Sequence, residues 1–370
     1  MRVLMISKAC LVGVYQRKLE EIARFPDIEL TVVVPPAWRD SSSVTRLERS
    51  HTTGYQLVVE PIAFNGNFHL HFYPRLRRRL RAFAPDIVHV DEEPYNLATF
   101  HALQLARRAG AGALWFTWQN LNLRYPLPFQ LIERYNLRHT DYGIAGSAGA
   151  AAVWREKGYT GPLAVIPQFG VDPAIFTPRP SERDSTAVFR IGYAGRLVPE
   201  KGVDLLLKAM ANLAGPWRLV IVGTGPEQGR LAALARRPSL AGRVSFEGYL
   251  PSVRLPAFYR QLDALVLPSR SRPNWVEQFG RVLIEAMASG VPVVGSNCGE
   301  IPKVVGDAGL IFPEGNAEAL GKCLTRLMHD HDLWMDLSRR GPERVLAHFT
   351  QAQVAAQTVA VYREMYGDLM

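Results

Sequence analysis

Short apolar runs alternate with helically patterned segments along the whole chain. Stretches such as LTVVVPP, PDIVHV, ALWFTWQ, YGIAGS and LAVIP have the length and β-branched content of strands buried on both faces. Between them, YQRKLEEIARF and NLATFHALQLARRAG space their apolar residues as amphipathic helices do. A second series follows, with FRIGYAG, RLVIVG, VSFEGY, ALVLPS and PVVGS as strands and VDLLLKAMANLA, PAFYRQL and GRVLIEAMASG as helices. This alternation predicts parallel α/β sheets in two Rossmann-like halves. Between the series, FTPRPSERDSTAVFR is rich in Pro, Ser and mixed charge, which places a linker at about Pro178 to Ala187. The expected domains are 1–180 and 181–351, followed by an amphipathic helix at about 352–370.

Composition agrees with this organisation. A chain of 370 residues exceeds the length at which one core stops growing, roughly 250–300 residues. With 48% hydrophobic and 21% charged residues it reads as a soluble globular protein. MRVLMIS is patterned as a strand and not as a signal peptide, and no apolar run approaches the roughly 20 residues of a membrane-spanning helix, so the expected location is the cytoplasm. The three cysteines lack metal-ligand spacing and read as small buried hydrophobes.

The net charge of +9 permits an anionic partner. Its densest run is PRLRRRLRAFAP, in which Leu76, Leu80 and Phe83 form one helical face with arginines around it. The Arg75–Arg81 region is either the solvated face of an ordinary helix or a site of attraction to anionic lipid headgroups, as a peripheral membrane contact, or to a phosphorylated acceptor. No nucleic-acid partner is expected, because high pI alone supports one and an RNP-type aromatic pattern is missing.

A Rossmann-like half raises the question of a dinucleotide. The turn SKACLVGVYQ contains only Gly13, and GYAGRLVPEKG also misses the GxGxxG spacing, which argues against a nicotinamide or flavin enzyme. The second turn instead offers Arg196 and Lys201 around Pro199, just ahead of a helix from Val203. Two cations beside a helix N-terminus make an anion site of pyrophosphate size, the alternative being two solvated loop cations. Further on, WVEQFGRVLIEAM sets Glu277 on a loop and Glu285 in a helix, with Gly280 between them. On one helix, eight residues would leave the two about 80° apart, a poor arrangement for an acid/base pair. They fit better as two acceptors for hydroxyls at different depths, around a glycine that lets backbone approach an anion. A sugar joined to a phosphate suits such a site; the bland reading of Glu285 is an exposed helix position. His69 and His71 alternate as metal ligands can, but no carboxylate or cysteine of suitable spacing accompanies them. They read as ordinary strand or loop residues and His89 as core, so no metal site is expected.

GRLVPEKGVD, LVIVGTGPE, VSFEGYL and LPSRSRPNWVEQFGRVLIEAMASGVPVVGSNCGEIPKVV together closely resemble the retaining glycosyltransferases of family four, which have the E-x7-E motif. The resemblance is close from Ile191 to about Phe312 and looser before that. It implies the GT-B fold, two Rossmann-like domains facing each other across a deep cleft. The N-terminal domain would take the acceptor, the C-terminal one would take the donor, and the last helix would pack back on the first domain.

The resemblance also implies roles for residues. Arg196 and Lys201, in the turn after Gly195, match cations on the donor diphosphate. Glu277, with the amides of Phe279 and Gly280, matches the group holding the donor sugar, and Glu285 matches the contact to the ribose. Arg281 and Val282 belong to the same donor-side helix start. Gly248, Tyr249 and Leu250 match the segment beside the nucleobase, and Gly13 matches a glycine-rich turn near the phosphate, here reduced to GV. Where many members have T-x-H, this chain has Thr117-Trp118-Gln119-Asn120, so Gln119 takes a positioning role without a side-chain base. In the front-face mechanism proposed for such enzymes the leaving diphosphate accepts the proton, which makes Arg196, Lys201 and Glu277 the catalytic candidates. Asp91 and Glu92, in the acidic run Asp91-Glu92-Glu93, together with Gln119 and Asn120, are candidates for acceptor contact, the alternative for the acidic run being a solvated loop.

The expected activity is sugar transfer, with retention, from a UDP-, GDP- or ADP-sugar to a carbohydrate or lipid-linked hydroxyl, without cofactor or metal, in polysaccharide or glycolipid synthesis. Gln119 also motivates a rival: a nucleotide-sugar-binding protein with little turnover.

Overall fold

The computed structural model describes residues 1–39, 44–178 and 188–369. All but the first residue of the expected linker lies outside these. The described residues form two compact units, one of Met1–Gly170 together with the helix Gln351–Leu369, the other of Val171–Thr350.

In the first unit, seven strands form one parallel sheet: β1 (Arg2–Ile6), β2 (Glu29–Val34), β3 (Gln56–Val59), β4 (Ile87–Val90), β5 (Gly112–Thr117), β6 (Tyr142–Ala145) and β7 (Leu163–Val165). Their order across the sheet is β3-β2-β1-β4-β5-β6-β7. Helices cover both faces, which is why β4, β5 and β6 are buried at every position and read as unbroken apolar runs. One face packs on the helices Arg17–Ala23 and Gln351–Leu369 through Val3, Met5, Leu19, Ile22, Val359 and Tyr362. Tyr362 also bonds His89 Nδ1 at 2.6 Å, which ties the last helix to the buried His89, a core residue as expected. The helix Leu76–Phe83 turns Leu76 and Leu80 inward and leaves Arg75, Arg77, Arg78 and Arg81 exposed, as its pattern predicts.

The second unit repeats the plan with six strands: β8 (Phe189–Ala194), β9 (Trp217–Val222), β10 (Val244–Gly248), β11 (Ala264–Leu267), β12 (Val293–Ser296) and β13 (Gly309–Phe312). The order is β10-β9-β8-β11-β12-β13. Its core gathers Tyr193, Leu206, Met210, Trp217, Ile221 and Trp334.

Both sheets therefore reverse direction once, between β1 and β4 and between β8 and β11. At such a switch point the loops leaving two adjacent strands turn to opposite faces and open a crevice at the carboxyl ends. Each unit puts charged residues there.

Candidate functional site

In the second unit, the loop after β8 carries Gly195, Arg196 and Lys201, and the loop after β11 carries Glu277, Phe279 and Gly280. The switch point thus brings together residues about 80 positions apart. Lys201 Nζ lies 2.6 Å from Glu277 Oε2, and Ser269 Oγ donates to the same oxygen at 2.7 Å. Both side chains of the ion pair are largely buried. The indole of Trp275 faces Lys201 at 5.1 Å from ring centre to Nζ.

Two glycines make this arrangement possible. Gly202 has φ +66°, and a Cβ there would run into the carbonyl of Pro268 at the end of β11. The Lys201 turn can therefore sit directly against the neighbouring strand only as glycine. Gly280 has φ +82° and starts the helix Arg281–Ala288, whose first turn has no capping side chain. The carbonyl of Glu277 accepts from the Glu300 amide at 3.1 Å, so the loop after β12 braces the glutamate from behind.

Glu285 lies in the second turn of that helix and is buried, which overturns the alternative of an exposed helix position. Tyr259 Oη donates to its Oε2 at 2.8 Å and Arg281 pairs with its Oε1 at 2.9 Å. Burial, with the Glu285 charge beside it, pushes the Tyr259 hydroxyl well above its ordinary pKa, so it stays a donor. Arg196 projects an exposed side chain while its carbonyl accepts from Tyr193 Oη at 2.8 Å. Gly248 has φ +65° and gives its carbonyl to the Gly223 amide at 2.6 Å; Tyr249 beyond it is 74% exposed, and Leu250 and Val282 are half-buried. Sequence reasoning missed Ser269 and Tyr259, whose only signal was their place at or near strand β11.

At the switch point of the first unit, Lys8 follows β1 and Glu92 follows β4, and Lys8 Nζ pairs with Glu92 Oε2. Lys8 also lies 4.5 Å from the Phe68 ring centre, and His71 Nε2 approaches Glu92 at 3.5 Å. Burial alone would raise the pKa of Glu92, but Lys8 and His71 outweigh it and hold it at about 2. Asp91 accepts from Ser7 Oγ at 2.5 Å and from Gln168 Nε2 at 2.9 Å. The acidic run is thus an internal polar network, and the alternative of a solvated loop does not hold. Gln119 is buried at the end of β5 with Asn120 half-buried beside it. Its Nε2 donates to Leu121 O at 2.9 Å, while Oε1 is a buried acceptor without a partner among the described residues.

Gly13 is buried in a short 3-10 turn, and its amide donates to Glu48 Oε2 at 2.7 Å, a carboxylate that sequence reasoning did not connect with it. His69 lies among the rings of Tyr95, Tyr125 and Phe129. Cys10 and Cys298 are buried, as expected of small hydrophobes, whereas Cys323 is only half-buried. Among the described residues no group of three or more His, Cys, Asp or Glu side chains is placed to hold a metal ion, and no helix is long and apolar enough to cross a membrane.

Comparison with known proteins agrees with this geometry. Residues 20–175 match the family described as Glycosyltransferase Family 4, and residues 179–344 match Glycosyl transferases group 1. The chain is 26% identical over 364 residues to the phosphatidyl-myo-inositol mannosyltransferase of Mycolicibacterium smegmatis, covering 95% of this chain and 89% of that one. It is 28% identical over 283 residues to the lipopolysaccharide core biosynthesis mannosyltransferase LpcC of Rhizobium leguminosarum, covering 71% and 78%. Against the GDP-mannose-dependent α-(1-6)-phosphatidylinositol monomannoside mannosyltransferase of Mycobacterium tuberculosis it is 32% identical over 202 residues, 51% of this chain, and spans only about half of that relative's length, 52%. Among solved structures, sucrose-phosphate synthase of Thermosynechococcus elongatus superposes with a TM-score of 0.75 at 21% identity over 100% of both chains. Anabaena HepE in complex with UDP gives 0.76 at 17% identity over 98% of this chain and 100% of that one. These likenesses show the fold, two parallel-sheet α/β domains of GT-B type. The chain belongs to glycosyltransferase family four.

Proposed function

We propose that the protein is a retaining glycosyltransferase that moves a sugar from a nucleotide-diphosphate sugar to a hydroxyl of a carbohydrate or lipid-linked acceptor, as part of polysaccharide or glycolipid synthesis. The observation that carries this reading is the 2.6 Å contact between Lys201 and Glu277 at a sheet switch point. A donor's sugar and its first phosphate share one bond, so the cation for the phosphate and the carboxylate for the sugar hydroxyls must lie side by side. On binding, Lys201 would turn from Glu277 to the phosphate with Arg196, and Glu277 would take hydroxyls in exchange. Both cations then stabilise the charge that grows on the diphosphate as the glycosidic bond breaks, which is where electrostatic catalysis has its largest effect. Glu285, anchored by Tyr259, would hold the ribose through its remaining acceptor capacity, and Tyr249 would lie along the base. The second unit is the donor domain in this reading and the first the acceptor domain. No step requires a metal, because the two cations supply the countercharge.

Relatives named for GDP-mannose and neighbours solved with UDP support a nucleotide-sugar donor. Relatives named for phosphatidyl-myo-inositol, phosphatidylinositol monomannoside and lipopolysaccharide core biosynthesis support a glycolipid acceptor, for which the exposed arginines of Leu76–Phe83 would bring the protein to an anionic membrane surface. Co-sedimentation with anionic but not neutral vesicles, lost on reversing Arg77, Arg78 and Arg81, tests that contact. The main test is a thermal-shift panel of UDP-, GDP- and ADP-sugars followed by transfer assays. One donor should raise the melting temperature with concentration, and Arg196→Ala with Lys201→Ala should abolish transfer while the protein stays folded. Wild-type turnover by that double variant would sink the reading; donor binding without turnover on any acceptor would favour the rival binding protein.

A further inference from the structure

The turn Thr117–Asn120 is held by the third carboxylate of the acidic run, Glu93. We propose that Glu93 is a positioning residue for acceptor binding, acting through Thr117 and the Trp118 amide to fix Gln119. This rests on the acceptor-side reading of Gln119.

Glu93 lies three residues beyond β4 and reaches across to the end of β5. Its Oε2 accepts from Thr117 Oγ1 at 2.6 Å and its Oε1 accepts from the Trp118 amide at 2.8 Å. Thr117 Oγ1 in turn accepts from Trp154 Nε1 at 2.9 Å and from the Gln119 amide at 3.0 Å. A hydroxyl has one hydrogen and two lone pairs. With both lone pairs facing N–H groups, the hydrogen of Thr117 has one place to go, which is Glu93. Both carboxylate oxygens therefore act as acceptors, the condition of an ionised Glu93 with charge-assisted bonds.

Gln119 itself is set without ambiguity. Its Nε2 faces a carbonyl, Leu121 O, so the atom left without a partner among the described residues is Oε1, an acceptor that a hydroxyl can satisfy. A buried acceptor left unpaired is costly, and a substrate hydroxyl that fills it is selected for carrying a hydrogen.

A proton on Glu93 would exchange the charge-assisted bonds for weaker neutral ones and loosen the turn. The groups around Glu93 place that event near neutral pH. Burial raises it to about 7, opposed by Thr117, the Trp118 amide and Lys8 and reinforced by Glu92. Tyr95 and Tyr125, the phenols that feel its charge, are raised above their usual pKa, so both remain neutral. The turn is therefore firmly held above about pH 7 and loosened below.

The test follows the indole N–H resonance of Trp154 by NMR from pH 5.5 to 8.5, together with transfer kinetics for whichever acceptor supports turnover. In wild type the resonance should shift with a midpoint near 7, and acceptor kcat/KM should rise about tenfold through the same midpoint while nucleotide affinity stays constant. Glu93→Gln should remove the indole titration and flatten the acceptor profile at the low level, with nucleotide affinity kept; Glu93→Asp should retain a titration. A pH step that survives in Glu93→Gln, or a loss of nucleotide affinity in that variant, overturns the proposal. If no acceptor or donor supports turnover but the indole titrates in wild type alone, the Glu93 network stands and the transferase reading fails. Turnover with an indole that does not titrate shows the converse.

Discussion

Replacing Lys201 by alanine separates what the ion pair does for the fold from what it does for the reaction. At 2.6 Å, and with an effective dielectric constant near 20, the attraction between Lys201 and Glu277 is about 6 kcal/mol before desolvation. Most of that attraction only offsets the removal of both groups from water. Losing the lysine, however, leaves the Glu277 carboxylate buried without its cation, which should cost about 2–3 kcal/mol. For a unit the size of Val171–Thr350 this is a fall of roughly 5–10 °C in melting temperature. Lys201→Ala with Glu277→Gln removes the stranded charge, so the double variant should recover more than half of the lost stability. Transfer should not recover, since both donor contacts are gone. The assay is a double-mutant cycle by denaturant or thermal unfolding, run beside nucleotide-sugar turnover. An unchanged melting temperature for Lys201→Ala would show that the pair is not a buried unit, and the argument from side-by-side donor contacts would fall with it.

Tyr259→Phe should weaken nucleotide binding about threefold to tenfold through the loosened Glu285, and Glu285→Gln by more, both read by calorimetry with the free nucleotide. Gly202→Ala, strained at φ +66° and pressed against Pro268 O, should destabilise the second unit by about 2–4 kcal/mol and lower turnover by displacing Lys201; wild-type stability would contradict the close approach. The two buried glutamates should act oppositely on the pH dependence of stability. Glu92, held at about 2, stabilises the first unit above its unfolded pKa, and that contribution is lost as pH falls from about 4.5 towards 2. Glu93, raised to about 7, stabilises fully below about 4.5 and loses its contribution as pH rises to 7. Unfolding of Glu93→Gln between pH 4.5 and 7 should therefore run flatter than wild type.

Much of the scaffold was legible because each sheet is parallel and covered on both faces, so strands such as Ile87–Val90 and Ala264–Leu267 announce themselves as unbroken apolar runs. Gly309–Phe312 was passed over: GLIF is short and half-buried at a sheet edge. The helix His331–His348 contains Pro342, a residue that normally argues against a helix interior. At the site, loop glycines and charged residues were visible as motifs, but their partners were not. Tyr259, Glu48 and Glu93 find Glu285, Gly13 and Thr117 only after segments distant in sequence become neighbours, and Ser269 reaches Glu277 only because the loop after β11 folds back on itself. Hydrogen bonds of that kind leave no periodicity to read.

The grouping of the helix Gln351–Leu369 with residues 1–170 has a consequence for biosynthesis. As the chain leaves the ribosome, its first unit cannot finish its core: Val3, Leu19 and Ile22 await Val359 and Tyr362, and His89 awaits the Tyr362 hydroxyl. The second unit is contiguous and carries its whole core between Val171 and Thr350, so it can complete first although it is translated second. The unit begun earliest is then closed last, and until the final helix emerges its apolar face is the surface a chaperone would cover.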